Sequence, residues 1–252
     1  MPTKQEIIKE QSQTVAISNE FIQKARYELT KTGQKAILYM ASKIKPMDEP
    51  EQEYHFIAEN FCKVCNFNTD GGWYLNYVKE VMLEIKARPI IIPTEKRKRV
   101  ITSWFDYAVL NEETGEIVVR FNKYITPYLY ELQKQYTSFL LEYVLPMKSE
   151  YGIRLYEYLK SVKYKGIRHT MTLDELRERL GCEGKYIQSS HMREKVIEPA
   201  LKDINTYTDL QVGYKFIKTG RKVSHIEFTV MLSDDVSRLL NRVKDLGMRD
   251  YE

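Results

Sequence analysis

Four histidines, three cysteines and nineteen tyrosines stand in this sequence, and their spacing decides what chemistry they could do. Cys62-x-x-Cys65 has the spacing of a zinc or redox pair. Zinc usually wants four ligands, and His55 with the distant Cys182 completes no recognised set. Cys65 also falls on an apolar helical stripe, where a free cysteine packs as a small hydrophobe. A tyrosine that nicks DNA needs a metal-binding pair of histidines flanking a hydrophobic residue, but His55, His169, His191 and His225 lie far apart. A tyrosine recombinase needs His-x-x-Arg, and "HMR" at 191–193 is one residue short. "TGQK" and "TGRK" are fragments of a nucleotide-binding loop rather than G-x-x-x-x-G-K-[ST]. The pattern yields no catalytic residue, no metal ligand set and no cofactor.

What remains is charge. "KTGRK" crowds Lys218, Arg221 and Lys222 around Gly220, within "YKFIKTGRKVSHIEFTV" (214–230), which reads as two alternating strands and a tight tip. "EKRKR" (95–99) is a second basic stretch, with Lys96, Arg97, Lys98 and Arg99. A solvated loop is the plain alternative for it. The whole chain carries a formal +4 over 252 residues, with a pI near 8.7. Between 151 and 230 there are 15 Lys plus Arg against 10 Asp plus Glu, a net +5, so the second half holds the basic surface. Such a surface permits an acidic partner.

The elements that would present these cations recur. "YGIRLYEYLKSVKY" (151–164) puts Ile153, Leu155, Tyr156, Leu159 and Val162 on one helical face. "TLDELRERLG" opens with Thr172 and Glu175 as a capping box and closes on Gly181 as a left-handed cap. "YIQSSHMREKVIEPALKDI" (186–204) spaces Met192, Val196, Ala200 and Ile204 four apart as a buried stripe. Pro199 within it predicts a bend or a break. The basic hairpin follows. The first half shows the same order. Helices are expected over 33–44, 56–66 (Ile57, Phe61, Val64 and Cys65 inward) and 71–87 (Leu75, Val78, Met82 and Ile85 inward). Strands are expected at "RPIII", "VITSWFDYAVL" and "EIVVRF". Leu38-Tyr39 matches Leu155-Tyr156 at an offset of 117, and Val81 matches Val196 at 115. Helix-turn-helix followed by a hairpin is the winged DNA-binding arrangement, whose second helix suits a major groove. The fold class is therefore α+β, two tandem winged-helix domains, 1–137 and 138–252, joined near 133–149. Three cysteines make no disulfide framework, the N-terminus lacks a signal-peptide stretch, and no run nears ~18 apolar residues. A cytoplasmic protein with no membrane partner is expected.

"ISNEFIQKARYELTKTGQKAILYM", "YGIRLYEYLKSV", "TLDELRERLG" and "REKVIEPALKDINTYTDLQVGYKFIKTGRKVSHIEFTV" resemble plasmid replication initiators of the iteron-binding, theta-replication superfamily. The resemblance runs from about Ile17 to Val230. It implies binding of double-stranded DNA at origin direct repeats and at an operator inverted repeat. It also implies a homodimer in equilibrium with monomer, autorepression by the dimer, and recruitment of a host initiator and replicative helicase. Carried onto this chain, it makes Gln188, Ser189, Ser190 and Arg193 base contacts. Lys185, Lys195, Lys218, Arg221 and Lys222 become phosphate contacts. Tyr74, Asn76 and Lys79 are the matching exposed positions of the first domain, and "EKRKR" its basic wing loop. The first domain is expected to supply dimerisation and backbone contacts. A tandem winged-helix transcription regulator without a replication role is the alternative.

Overall fold

The computed structural model describes residues 2–45, 47–49, 51–67, 74–94, 97–130, 132 and 135–233. The chain opens with α1 (Lys4–Gln11), started by a Thr3–Glu6 capping box. Two copies of one arrangement follow. The first runs β1 (Thr14–Ser18), α2 (Asn19–Lys24), α3 (Lys31–Ala41), β2 (Glu53–Ile57), α4 (Ala58–Val64) and α5 (Tyr74–Ala87). It continues with β3 (Ile90–Pro93), β4 (Arg99–Thr102), β5 (Phe105–Leu110) and β6 (Glu116–Phe121). The second runs β7 (Tyr136–Leu140), α6 (Leu141–Val144), α7 (Gly152–Val162), β8 (Arg168–Thr172) and α8 (Leu173–Leu180). It closes with α9 (Ser189–Met192), a π-helical turn (Arg193–Ile197), α10 (Glu198–Tyr207), β9 (Leu210–Thr219) and β10 (Lys222–Leu232).

The sheets make the duplication plain. One has strand order β2-β6-β5, the other β8-β10-β9. In each, the strand before the second helix pairs antiparallel with the returning strand of the hairpin. The opening strands β1 and β7 pair with each other, centred on Ala16↔Ser138, and so join the copies. The departure from symmetry is β3–β4, a separate two-stranded sheet inserted in the first copy.

Several expectations change here. The helix read over 56–66 begins only at Ala58, and Phe56 belongs to β2. "EYHFI" alternates strictly, with Tyr54 and Phe56 buried, and pairing with β6 overrides the helical spacing of Ile57 with Phe61. Ile57 is 45% exposed rather than inward. β8 was not anticipated either. "VITSWFDYAVL" is two strands in different sheets, because the chain turns at Ser103-Trp104 to bury the indole.

The second copy's stripe holds: Met192, Val196, Ala200 and Ile204 are all fully buried. Burying a side chain of the size of valine, isoleucine or methionine contributes roughly 1.5–3 kcal/mol. Pro199 does not break the helix. It has no N–H to donate, and its ring crowds the carbonyl four residues back. The preceding turn widens to π geometry, and Glu198 N–H donates to Arg193 O, five residues away. The segment stays helical from Ser189 to Tyr207.

Candidate nucleic-acid interface

The start of the helical segment Ser189–Tyr207 is held by Arg177, a residue with no signal in the sequence. Arg177, on α8, has a side chain only 8% exposed. Its Nη2 donates to Tyr186 O and Ile187 O, both at 3.0 Å, while Nη1 donates to Asp174 Oδ1 at 2.7 Å. Those two carbonyls immediately precede Gln188, the N-cap of α9. Thr172 and Glu175 form both halves of the expected capping box, and Gly181 ends α8 at φ 69°. Hence α8, its left-handed cap and the Arg177 clamp fix where the next helix starts. "R-x-R" inside a capped helix gives no hint that one arginine is buried.

Gln188 and Ser190 are exposed, Ser189 is half-buried, and Gln188 makes no side-chain cap bond. Arg193 lies exposed on the π turn, with Nε 3.7 Å from Glu198 Oε1. Tyr214 Oη on β9 donates to that same carboxylate oxygen at 3.2 Å. These contacts tether the guanidinium at Nε while the Arg193 side chain stays 55% exposed, a residue type and placement that suit a guanine edge. Lys195 pairs with Glu194 at 2.8 Å, which pushes the ammonium pKa up. Ile187, 69% exposed beside Gln188, is an apolar surface residue that charge-based reading overlooked.

The second hairpin carries its cations at the tip. Thr219 pairs with Lys222, leaving a two-residue loop of Gly220 and Arg221. Gly220 adopts φ 62°, the positive value such a loop favours. Ser224 bulges out of register and its hydroxyl meets Thr219 Oγ1 at 2.7 Å, adding local twist. Lys218, Arg221 and Lys222 are exposed and have no ion-pair partner among the described residues. Further down, Lys215 is held by Glu227 at 2.9 Å. Charge is thus neutralised along the hairpin stem and left uncompensated at the tip.

Lys185 sits differently from its assignment as a phosphate contact. Its ammonium donates to Glu28 Oε1, in the first winged helix, at 2.7 Å, which raises the lysine pKa and lowers that of the glutamate. It is a strut between the two copies.

The first copy's surface also needs correction. Asn76 and Lys79 on α5 are exposed and Tyr74 is half-buried. Lys79 donates to Glu112 Oε1 at 3.3 Å. Glu112 belongs to "NEETG" (111–115), the tip between β5 and β6. That hairpin, the one paired with β2, is the topological equivalent of the basic hairpin in the second copy. The first wing is therefore acidic. Of "EKRKR", Arg97, Lys98 and Arg99 are exposed and belong instead to the inserted β3–β4 hairpin, Arg97 at φ 68°. Lys96 lies outside the described residues.

Cys62, Cys65 and Cys182 are buried. Burial pushes the Cys62 thiol up to about 12 and Cys182 up to about 11, away from the thiolate that metal or redox chemistry requires. No group of three or more His, Cys, Asp or Glu among the described residues could hold a metal ion. No helix among them is long and apolar enough to cross a membrane.

A family described as "Initiator Replication protein, WH1" matches residues 14–160, and "Initiator Rep protein, WH2" matches 172–230. This chain belongs to the initiator replication protein family. Its α+β architecture is that family's pair of winged helices. The chain is 27% identical over 217 residues to a replication initiation protein of Escherichia coli, across 82% of this chain and 66% of that relative. It is 28% identical over 158 residues to an uncharacterized 27.6 kDa protein of Escherichia coli, across 62% of this chain and 66% of that one. The chain thus spans just under two thirds of the length of these curated relatives. Among solved structures it resembles the Pi initiator protein in complex with iteron DNA, with a TM-score of 0.70 at 19% identity. That likeness covers 89% of this chain and 99% of the other, and it supports the fold.

Proposed function

We propose that this protein binds double-stranded DNA in a sequence-specific way and initiates plasmid replication at direct repeats in an origin. The observation that carries this reading is the second winged helix. An uncompensated cationic tip stands on the hairpin that follows a helix whose first turns expose Gln188, Ser190 and Arg193. Membership of the initiator family supplies the biological context, and Pi, of the same fold, was solved with iteron DNA. In the proposed complex, Gln188, Ser189, Ser190 and Arg193 face base edges. Lys195, Lys218, Arg221 and Lys222 meet phosphates, and Arg97, Lys98 and Arg99 add backbone contacts from the first copy. The protein works by affinity and DNA deformation rather than by bond chemistry.

The proposed division is 1–137 and 138–252. The pairing of β1 with β7 supports two copies, since each strand opens one, and the division falls inside β7. A homodimer in equilibrium with monomer, autorepressing through an inverted repeat, belongs to the same proposal. So do the contacts to a host initiator and helicase. The open edge of β5, with Val109 53% exposed, is a surface of the first copy suited to self-pairing.

The test is genetic. A replicon lacking its own initiator, joined to the DNA flanking this gene, is supplied with the protein in trans. Maintenance of that replicon, lost with Arg193→Ala, supports initiation. Repression of the gene's promoter without maintenance would instead establish a transcription regulator.

A further inference from the structure

Residues 23–28, the end of α2 and the start of its connection to α3 in the first winged helix, lie against the helix-turn-helix of the second. Arg179 Nη1 donates to Gln23 O at 2.6 Å. Arg154, on α7, donates through Nη2 to Ala25 O at 3.2 Å and to Arg179 O at 3.1 Å. Its guanidinium also lies 3.9 Å from the Tyr27 ring centre. Arg26 Nε donates to Glu178 Oε1 at 3.0 Å, and Glu28 holds Lys185 at 2.7 Å. Main chain also packs on main chain at Gly181. A Cβ placed on Gly181 would come within 2.8 Å of Tyr27 O. Four of these six residues, Gln23, Arg26, Tyr27 and Glu28, therefore grip the end of α8 and the turn beyond it, and Ala25 is tied to it through Arg154. That turn runs straight into Tyr186 and Ile187, the carbonyls that Arg177 clamps at the start of the reading helix.

The same segment is anchored on its other side to the basic hairpin. Arg26 and Ile91 exchange both backbone hydrogen bonds at 2.8 Å, and Ile91 belongs to β3. Residues 97–99 at that hairpin's tip and Gln188 to Arg193 on the reading helix are thus joined through one short strip of main chain. The copies are also joined at β1–β7 and by Lys31 and Gln34 of α3 to Glu150, but it is this strip that touches the turn leading into the reading helix, and a loose reading helix loses discrimination before it loses phosphate affinity.

We infer that Arg26, Tyr27 and Glu28 of the first winged helix are positioning residues for sequence reading by the second. They fix the reading helix through Gly181 and Lys185 without touching DNA. This rests on the DNA-binding proposal above. It assigns Lys185 to the strut, so the phosphate contacts are made by other cations.

The full-length protein is titrated by fluorescence anisotropy with a duplex from immediately upstream of its gene and with a shuffled duplex of equal composition. Wild type must prefer the native duplex; equal binding by wild type would refute the DNA-reading proposal itself. Given that preference, Gly181→Ala is expected to lower it about tenfold or more, with shuffled binding nearly unchanged, because phosphate contacts carry affinity but not sequence information. Since Gly181→Ala can also impair folding, a double-mutant cycle supplies the second arm. Glu28→Gln and Lys185→Gln should each lower the preference by about two- to fivefold, as expected of an exposed pair, and the double variant should lose no more than either. The inference is overturned if Lys185→Gln weakens both duplexes and flattens the salt slope by about one unit while Glu28→Gln does not weaken binding. A folded Gly181→Ala variant with full preference overturns it equally.

Discussion

Replacing Arg177 by methionine tests how the reading helix is held. The methionine keeps most of the volume but strands two carbonyls, Tyr186 O and Ile187 O, that each accept from the guanidinium at 3.0 Å. A hydrogen bond from a charged donor is worth about 1.5–3 kcal/mol. The lower figure applies, since losing the guanidinium also relieves its own burial, so the two bonds together come to about 3 kcal/mol. The third bond adds little, because the Asp174 side chain is 95% exposed and already solvated. Urea unfolding of the full chain should show the midpoint fall with an unchanged slope for Arg177→Met. Asp174→Asn should shift it far less. The same Arg177→Met protein should bind the native duplex with reduced preference over shuffled DNA. A cost below about 1 kcal/mol for Arg177→Met, or an equal cost for Asp174→Asn, would refute the clamp.

Three further expectations concern the tip, the helix and a buried acid. Arg221→Ala with Lys222→Ala should weaken binding to all duplexes alike and flatten the salt slope by about one or two units in a titration across salt concentrations. Arg193→Ala should cost roughly 1–3 kcal/mol on the native duplex and little on random DNA, measured by competition. Glu157, buried on α7 beside Arg154, is pushed up to about 7 by burial from an ordinary value of 4.5. The folded state therefore holds an extra proton between those values, and the stabilisation present below pH 4.5 is lost as pH rises to 7. The loss is on the order of 3 kcal/mol, and Glu157→Gln should remove that slope from urea midpoints measured at pH 5 and pH 8.

How far the sequence reached depended on the kind of signal. Local chemistry was legible. Thr172 with Glu175, Gly181, Gly220 and the four-residue stripe of Met192, Val196, Ala200 and Ile204 each impose their structure through near neighbours. Strands β2 and β8 were not legible, because five-residue stretches carry little information until β6 and β10 pair with them, and "RHTMT" lacks even the alternation of "EYHFI". The same long-range pairing decided which first-copy hairpin is the wing, and it chose the acidic one over "EKRKR". Lys185 looked like one more cation near the reading helix. Its partner Glu28 lies far away in sequence, and only the packing of one copy on the other brings them together. Arg154 and Arg177 were hidden for a related reason: a buried arginine looks like any surface arginine until the carbonyls it satisfies are known.

In the proposed complex the second winged helix reads sequence while its hairpin tip supplies phosphate affinity. The most direct measurement is anisotropy binding of the wild-type chain to the duplex upstream of its gene and to its shuffled counterpart, repeated at several salt concentrations. The expected result is a preference of ~10³-fold or more for the native duplex, with a steep salt dependence on both. Equal affinity for the two at every salt concentration would contradict it, and would leave the basic tip as a non-specific polyanion surface.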